Sequence, residues 1–213
     1  MNLPVIVVGG GGHAKVLIDT ISRTGTRLLG YVDSKPGGKL AGADHLGNDE
    51  YILRQSPTEI RLINGVGVSK TCQARRGIYE RFSAKGFEFQ TVIHPSAIIA
   101  CGVKIGPGAQ LMAGAVIQPD VSIGADAIVN TNASVDHDCF VGHHVHIAPG
   151  AVLSGNVTIG DCVFIGAGAV VIQGRSVGAG AIVAAGAVII RDVPEGFIAI
   201  GVPGRIYKSG SNE

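Results

Sequence analysis

From Ile99 to Ile189 an aliphatic side chain returns at every sixth residue, sixteen times without a miss. The series runs through Ile105, Leu111, Ile117, Val135, Val141, Ile147 and Ile165. Two residues before each stands Ala, Val or Cys, with Arg175 the exception, and Gly often follows, as at Gly106, Gly124 and Gly142. A six-residue period matches neither the 3.6-residue turn of a helix nor the two-residue alternation of an ordinary strand. It fits one short strand plus one turn, with the aliphatic residue and its small neighbour facing inward. Three such units close an 18-residue triangular coil. One unit cannot bury its own apolar residue, whereas a stack of coils can. The repeat predicts about five coils.

Residues 1–92 obey a different period. Pro4–Val8 is a continuous apolar run, as expected of a buried parallel strand. Gly9–Gly12 follow, then a helical face of Ala14, Leu17, Ile18 and Ile21 with Gly25 as its stop. Arg27–Val32 reads as a second strand ending at Asp33, residues 34–48 as a loop, and Glu59–Ile63 as a third strand leading into Asn64-Gly-Val-Gly67. A second helix is expected over Lys70–Ala84. Alternating strand and helix predict a parallel sheet. The fold expected is an α/β parallel-sheet unit over 1–92, followed over 93–213 by a β-solenoid closed by a C-terminal cap.

Composition agrees with thin, regular layers: 33 glycines, 46% hydrophobic residues, 5% aromatics and no Trp. A formal net charge of +1 gives no footprint for nucleic acid or an anionic membrane. No apolar stretch is long enough to span a bilayer, and the first residues lack a signal-peptide pattern. Cys72, Cys101, Cys139 and Cys162 form no CxxC pair and read as free thiols of a reducing compartment, with the cytoplasm as the default.

Three local features bear on chemistry. The turn Gly9-Gly-Gly-Gly-His13 leads from strand to helix, where unpaired amides and the helix dipole favour phosphate; a tight turn without a ligand is the alternative. The segment Asn132-Ala-Ser-Val-Asp-His-Asp-Cys139 places His137 and Asp138 at an outward corner, with Val135, Cys139 and Val141 inward. An exposed imidazole whose tautomer is fixed by a carboxylate makes a general base; a solvated polar turn is the alternative. The ending Ile198-Ala-Ile-Gly-Val-Pro-Gly-Arg205 breaks the six-residue rule and closes the stack.

Together these segments resemble the PglD/NeuD-type sialic-acid O-acetyltransferase-like family of hexapeptide-repeat proteins. It includes N-acetyltransferases of nucleotide-linked 4-amino-4,6-dideoxy sugars. The resemblance runs from the Gly-rich turn through Asp33, Gly65-Val-Gly67, His94-Pro95 and the Asp-His-Asp-Cys segment to Gly201-Val-Pro203. It implies a left-handed parallel β-helix, a homotrimer, and acetyl-CoA in the groove between adjacent solenoids. It also implies His137 as base with Asp138 enhancing its basicity, and His146 helping to place acetyl-CoA. Some relatives carry Glu where Asp138 stands, and Asp is one methylene shorter. His143 and His144 match no role and read as surface residues. Ala167, Ala185 and Gly186 leave little side chain in the path of pantetheine, or simply pack corners and subunits. Gly11, Gly12 and His13 would contact the phosphates of the sugar nucleotide, and Asp33 or the Gly65 loop its nucleoside. No metal is expected. Three other functions stay open: sugar O-acetylation of the sialic-acid type, a γ-carbonic-anhydrase-like metal solenoid, and a non-catalytic scaffold that binds nucleotide sugars.

Overall fold

The computed structural model describes residues 3–35, 37–68 and 71–208. The N-terminal unit is a three-stranded parallel sheet in the order β2-β1-β3, with β1 at Val5–Val8, β2 at Leu28–Val32 and β3 at Arg61–Asn64. Helix α1 (Gly12–Ser22) buries Ala14, Leu17, Ile18 and Ile21, the four residues that share one helical face. The segment read as a loop over 34–48 contains two isolated bridges, Tyr31 with His45 and Leu40 with Ala43. A short helix that the periodicity did not reveal, α2 (Asp49–Leu53), follows, capped by the Asn48 side chain on the Glu50 amide. Helix α3 spans Gln73–Ser83, so it begins later than the Lys70 expected; Lys70 itself lies outside the described residues.

The repeat then forms seventeen two-residue strands, β4–β20, from Val92–Ile93 to Val188–Ile189. They pair in parallel at 18-residue steps into three sheets, as in Ile128–Val129 with His146–Ile147. The stack makes about six coils rather than five, because Val92–Ile93 and β21 (Phe197–Ile200) also join it. The inward positions form one continuous core of small and branched side chains, from Ala109 and Leu111 to Ala187, Ile189 and Ala199. Coils lie close enough that a Cβ on Gly106 would stand 2.6 Å from the Ala125 amide nitrogen, which explains the glycine after the aliphatic residue. β22 (Arg205–Lys208) returns antiparallel to β21 and closes the sheet.

Each turn holds one residue in the left-handed region, again at six-residue steps: Gly102, Gly108, Gly114, Asp120, Asp126, Asn132, Asp138, His144, Gly150, Asn156, Cys162 and onward to Gly186. Gly, Asn and Asp occupy that region at least cost. Backbone bonds between turns sort them into three edges running up the stack. Asp138 bonds to Pro119 and Asn156 to His137 on one; His144 to Ala125 and Cys162 to His143 on the second; Gly168 to Pro149 and Gly186 to Ala167 on the third.

Candidate active site

The first edge carries His137 and Asp138. Both side chains are more than half exposed, and Asp138 Oδ2 accepts a hydrogen bond from His137 Nδ1 at 2.8 Å. The shorter Asp side chain therefore reaches the ring. The carboxylate fixes the proton on Nδ1 and leaves Nε2 as the acceptor. This bond, aided by the Asp136 and Asp138 charges, raises the His137 pKa above its usual 6.5. One coil on, the ring lies against Gly155: a Cβ there would stand 2.7 Å from both Cε1 and Nε2. Val135, Cys139 and Val141 are buried, as the hexad register predicts. The Cys139 thiol donates to the Ser154 carbonyl, and burial raises its pKa, so it is sealed from any substrate.

The third edge is nearly bare. Ala167, Gly168, Ala185 and Gly186 are exposed, and a Cβ on either glycine would meet nothing within 4 Å. This edge forms a ledge of backbone.

The second edge meets the N-terminal unit. A Cβ on Gly108 would touch Phe89 and Tyr79. Asp126 pairs with Arg75 of α3 at 2.8 Å, both fully buried. His144 is buried rather than a surface residue: its Nδ1 lies 3.1 Å from Asp126 Oδ2, and its ring packs edge-on against Tyr79. Cys162 forms a disulfide with Cys72, Cα atoms 5.5 Å apart. Reading all four cysteines as free thiols was therefore wrong for this pair. They are 90 residues apart and meet only because the start of α3 docks on the solenoid; Cys101 and Cys139 are free.

An open cavity of about 330 Å³ is lined by Gly9–Gly12, His13, Asp33 and Gly65–Val68. A Cβ on Gly11 or Gly12 would meet nothing within 4 Å, so both face open space. Asp33 Oδ2 accepts from the Gly10 amide at 2.6 Å, and its Oδ1 accepts from the Lys35 amide. Gly65 is pressed between Val7, Val8 and Ala14. His13 lines the cavity, yet its Nε2 bonds to Gln110 Oε1 of the solenoid at 2.6 Å. Burial, then the Arg75 charge, lowers its pKa to about 4, so it is a neutral group at the helix start.

His146 lies close to the same seam. Its pKa is lowered to about 3, chiefly by burial and then by His13 and Arg75. Its Nε2 meets Asn130 Nδ2 at 3.1 Å, the Phe164 ring stands edge-on to it, and a backbone contact with Val68 partly offsets the lowering of its pKa. The residues at this seam that sequence reasoning missed are Asn64, Arg75, Gln110, Asp126 and Asn130. Among the described residues, no three His, Cys, Asp or Glu side chains are grouped to hold a metal ion.

Comparison with known proteins places these features together elsewhere. Residues 4–82 match the PglD N-terminal domain, and residues 102–137 and 138–173 match the bacterial transferase hexapeptide model of six repeats. A crystal structure of a histidine-to-asparagine variant of perosamine N-acetyltransferase from Caulobacter crescentus, in complex with CoA and GDP-perosamine, is 37% identical. It superposes with a TM-score of 0.91 over 97% of both chains. The acetyltransferase domain of PglB from Neisseria gonorrhoeae, in complex with acetyl coenzyme A, is 36% identical with a TM-score of 0.92 over 97% of this chain and 100% of that one. UDP-N-acetylbacillosamine N-acetyltransferase of Bacillus subtilis is 38% identical over 116 residues; the match spans about half of each chain, 51%. With a PglD-type N-terminal sheet, hexapeptide coils and likeness along nearly its whole length, the chain belongs to the PglD-type family of hexapeptide-repeat acetyltransferases.

Proposed function

We propose that this chain transfers acetyl from acetyl-CoA to the amino group of a nucleotide-linked 4-amino-4,6-dideoxy sugar, with His137 as general base. The observation that carries the reading is the His137–Asp138 pair on an open edge, with Nε2 free and basicity raised. The amine nitrogen attacks the thioester carbonyl carbon, and its surplus proton passes to His137 Nε2. The carbon–sulfur bond then breaks, CoA leaves, and the proton returns to its sulfur. Holding amine and thioester together removes much of the entropic barrier, so no covalent enzyme intermediate is needed. Buried Cys139 has no part in it.

The cavity beside Gly9–Gly12 takes the nucleotide. The amides of Gly11 and Gly12 at the start of α1 suit a diphosphate, and neutral His13 acts there as a hydrogen-bonding group rather than a counter-charge. Asp33 and the Gly65 loop line the nucleoside end. The ledge at Ala167, Ala185 and Gly186 takes pantetheine against backbone, and His146 helps to place acetyl-CoA. The chain acts as a homotrimer. The outward residues Ile98, Val116, Val152, Val170 and Val188 lie in one row of one sheet, interrupted by Ser134, and give that face an apolar character that suits packing against a second solenoid. No helix among the described residues is long and apolar enough to cross a membrane. The cytoplasm is the compartment proposed, on the ground of acetyl-CoA as co-substrate and not of the cysteines, two of which are bridged.

The test is CoA release from acetyl-CoA with a panel of UDP- and GDP-linked 4-amino-4,6-dideoxy sugars, both nucleotides appearing among the relatives. Release with one amino sugar and not with its 4-hydroxy counterpart supports the reading. Release only with hydroxyl acceptors replaces it with O-acetylation, and no acetyl-CoA binding overturns the enzyme reading.

A further inference from the structure

The second edge is where the corner rule is broken. Of the non-glycine corners, His144 and Cys162 alone are neither Asn nor Asp, and both still hold φ near +60°. Such residues keep this conformation only when their surroundings enforce it. Both are fixed by ties at the seam with the N-terminal unit: Cys162 to Cys72, and His144 to Tyr79 and Asp126.

At the centre of that seam Arg75 is fully buried and serves the cavity wall. Its Nη1 donates to the Asn64 carbonyl at 3.0 Å and to the Val66 carbonyl at 2.7 Å, on either side of Gly65. Its Nε donates to the Asp126 carbonyl, and its Nη2 lies 2.8 Å from Asp126 Oδ1. The Asn64 amide bridges the Arg75 carbonyl and the Asp126 carboxylate, while Gln110 of the solenoid donates to the Asn64 carbonyl. The wall so held touches the Gly-rich turn, since a Cβ on Gly9 would stand 3.0 Å from Val66 Cγ2. A buried guanidinium survives only with its charge balanced and its protons used. Here the balancing charge comes from the solenoid, as an ion pair at Nη2 without an aligned hydrogen bond, and the Nη1 protons hold the nucleotide wall.

We propose that Arg75, balanced by Asp126, is a positioning residue for the nucleotide-linked sugar: it fixes the Asn64–Val66 turn, so that acceptor affinity is set from the solenoid edge. This rests on the function proposed above. A mere stability role predicts that removing both charges restores the protein, because buried pairs are often replaceable without loss. A positioning role predicts that stability returns and affinity does not.

The experiment is steady-state kinetics in both co-substrates, with melting temperatures, for the wild type, Asp126→Asn and the double variant Arg75→Met/Asp126→Asn. Asn keeps the left-handed corner. The KM for the sugar nucleotide rises about tenfold in both variants, the scale of hydrogen bonds from a charged donor. The KM for acetyl-CoA and the kcat at saturation stay within about twofold. The melting temperature falls in the single variant, which leaves a buried charge unpaired, and recovers in part in the double, where the charge is gone but the carbonyls have lost their donor. A sugar KM that recovers together with the melting temperature overturns the proposal, as does an equal rise in both KM values or no change. Arg75→Lys, which keeps the charge and loses the second donor, gives the same readout if the other variants do not fold. A wild type that releases no CoA with any nucleotide-linked amino sugar overturns the functional reading, and the positioning role falls with it.

Discussion

Two edges of one solenoid carry the same pair of residue types and use them in opposite ways. At one, His137 and Asp138 meet at 2.8 Å in water; at the other, His144 and Asp126 meet at 3.1 Å beneath the N-terminal unit. Asp138, His144 and Asp126 are all left-handed corner residues of one repeating backbone. What differs is cover. The open pair keeps a free Nε2 and a raised pKa, whereas Asp126 is spent on Arg75 and Asn64 as well as on His144. A His–Asp contact is therefore not by itself a base. The role proposed for His137 rests on its unobstructed second nitrogen.

Substitutions on the two edges test this contrast. His137→Ala lowers kcat by about 10²–10⁴, the range for a lost general base, with an unchanged melting temperature because the side chain is exposed. Turnover within about tenfold of wild type would put the base elsewhere. His144→Ala behaves the other way: calorimetric or denaturant unfolding loses about 1–3 kcal/mol, the cost of leaving a buried carboxylate short of a partner. A smaller loss would mean that Arg75 and Asn64 satisfy Asp126 on their own.

Gly155→Ala separates space from stability. Its backbone is outside the left-handed series, so Ala is tolerated there, but the methyl falls on Cε1 and Nε2 of His137. kcat falls about tenfold or more, as expected for a displaced reacting group, and the melting curve does not move. Asp138→Asn gives the smallest and most diagnostic change. The base must be deprotonated to act, and Asp138 raises the pKa of His137. The acid limb of kcat/KM therefore lies above 6.5 in the wild type and moves to lower pH in the variant. A limb that stays in place would assign it to another group.

The coils, their inward residues and the outward placement of His137 and Asp138 could all be read from the sequence, because a strict period makes every residue's direction a matter of counting. The seam could not. Arg75 sits in a helix whose mean character is polar, and nothing local distinguishes it from the exposed Arg76 beside it. Its burial, the Cys72–Cys162 disulfide and the neutral state of His13 all depend on how two units dock, through contacts between residues 51 to 97 apart. The one signal available was the corner series: a His and a Cys where Gly, Asn or Asp belong mark positions held by something outside the coil. His143 and His144, adjacent in sequence and read alike, part company for this reason; only His144 stands at a corner.

The 18-residue step also makes the solenoid a ruler. Neighbouring parallel strands lie about 4.8 Å apart, so His137 stands at a height fixed by the number of coils between it and the coil of Gln110, which touches His13. Inserting or deleting one whole coil between them would move the base by about that distance and leave every inward side chain and every corner in register. A solenoid of this kind can thus be refitted to a longer or shorter acceptor in discrete steps, by changing its length rather than its chemistry.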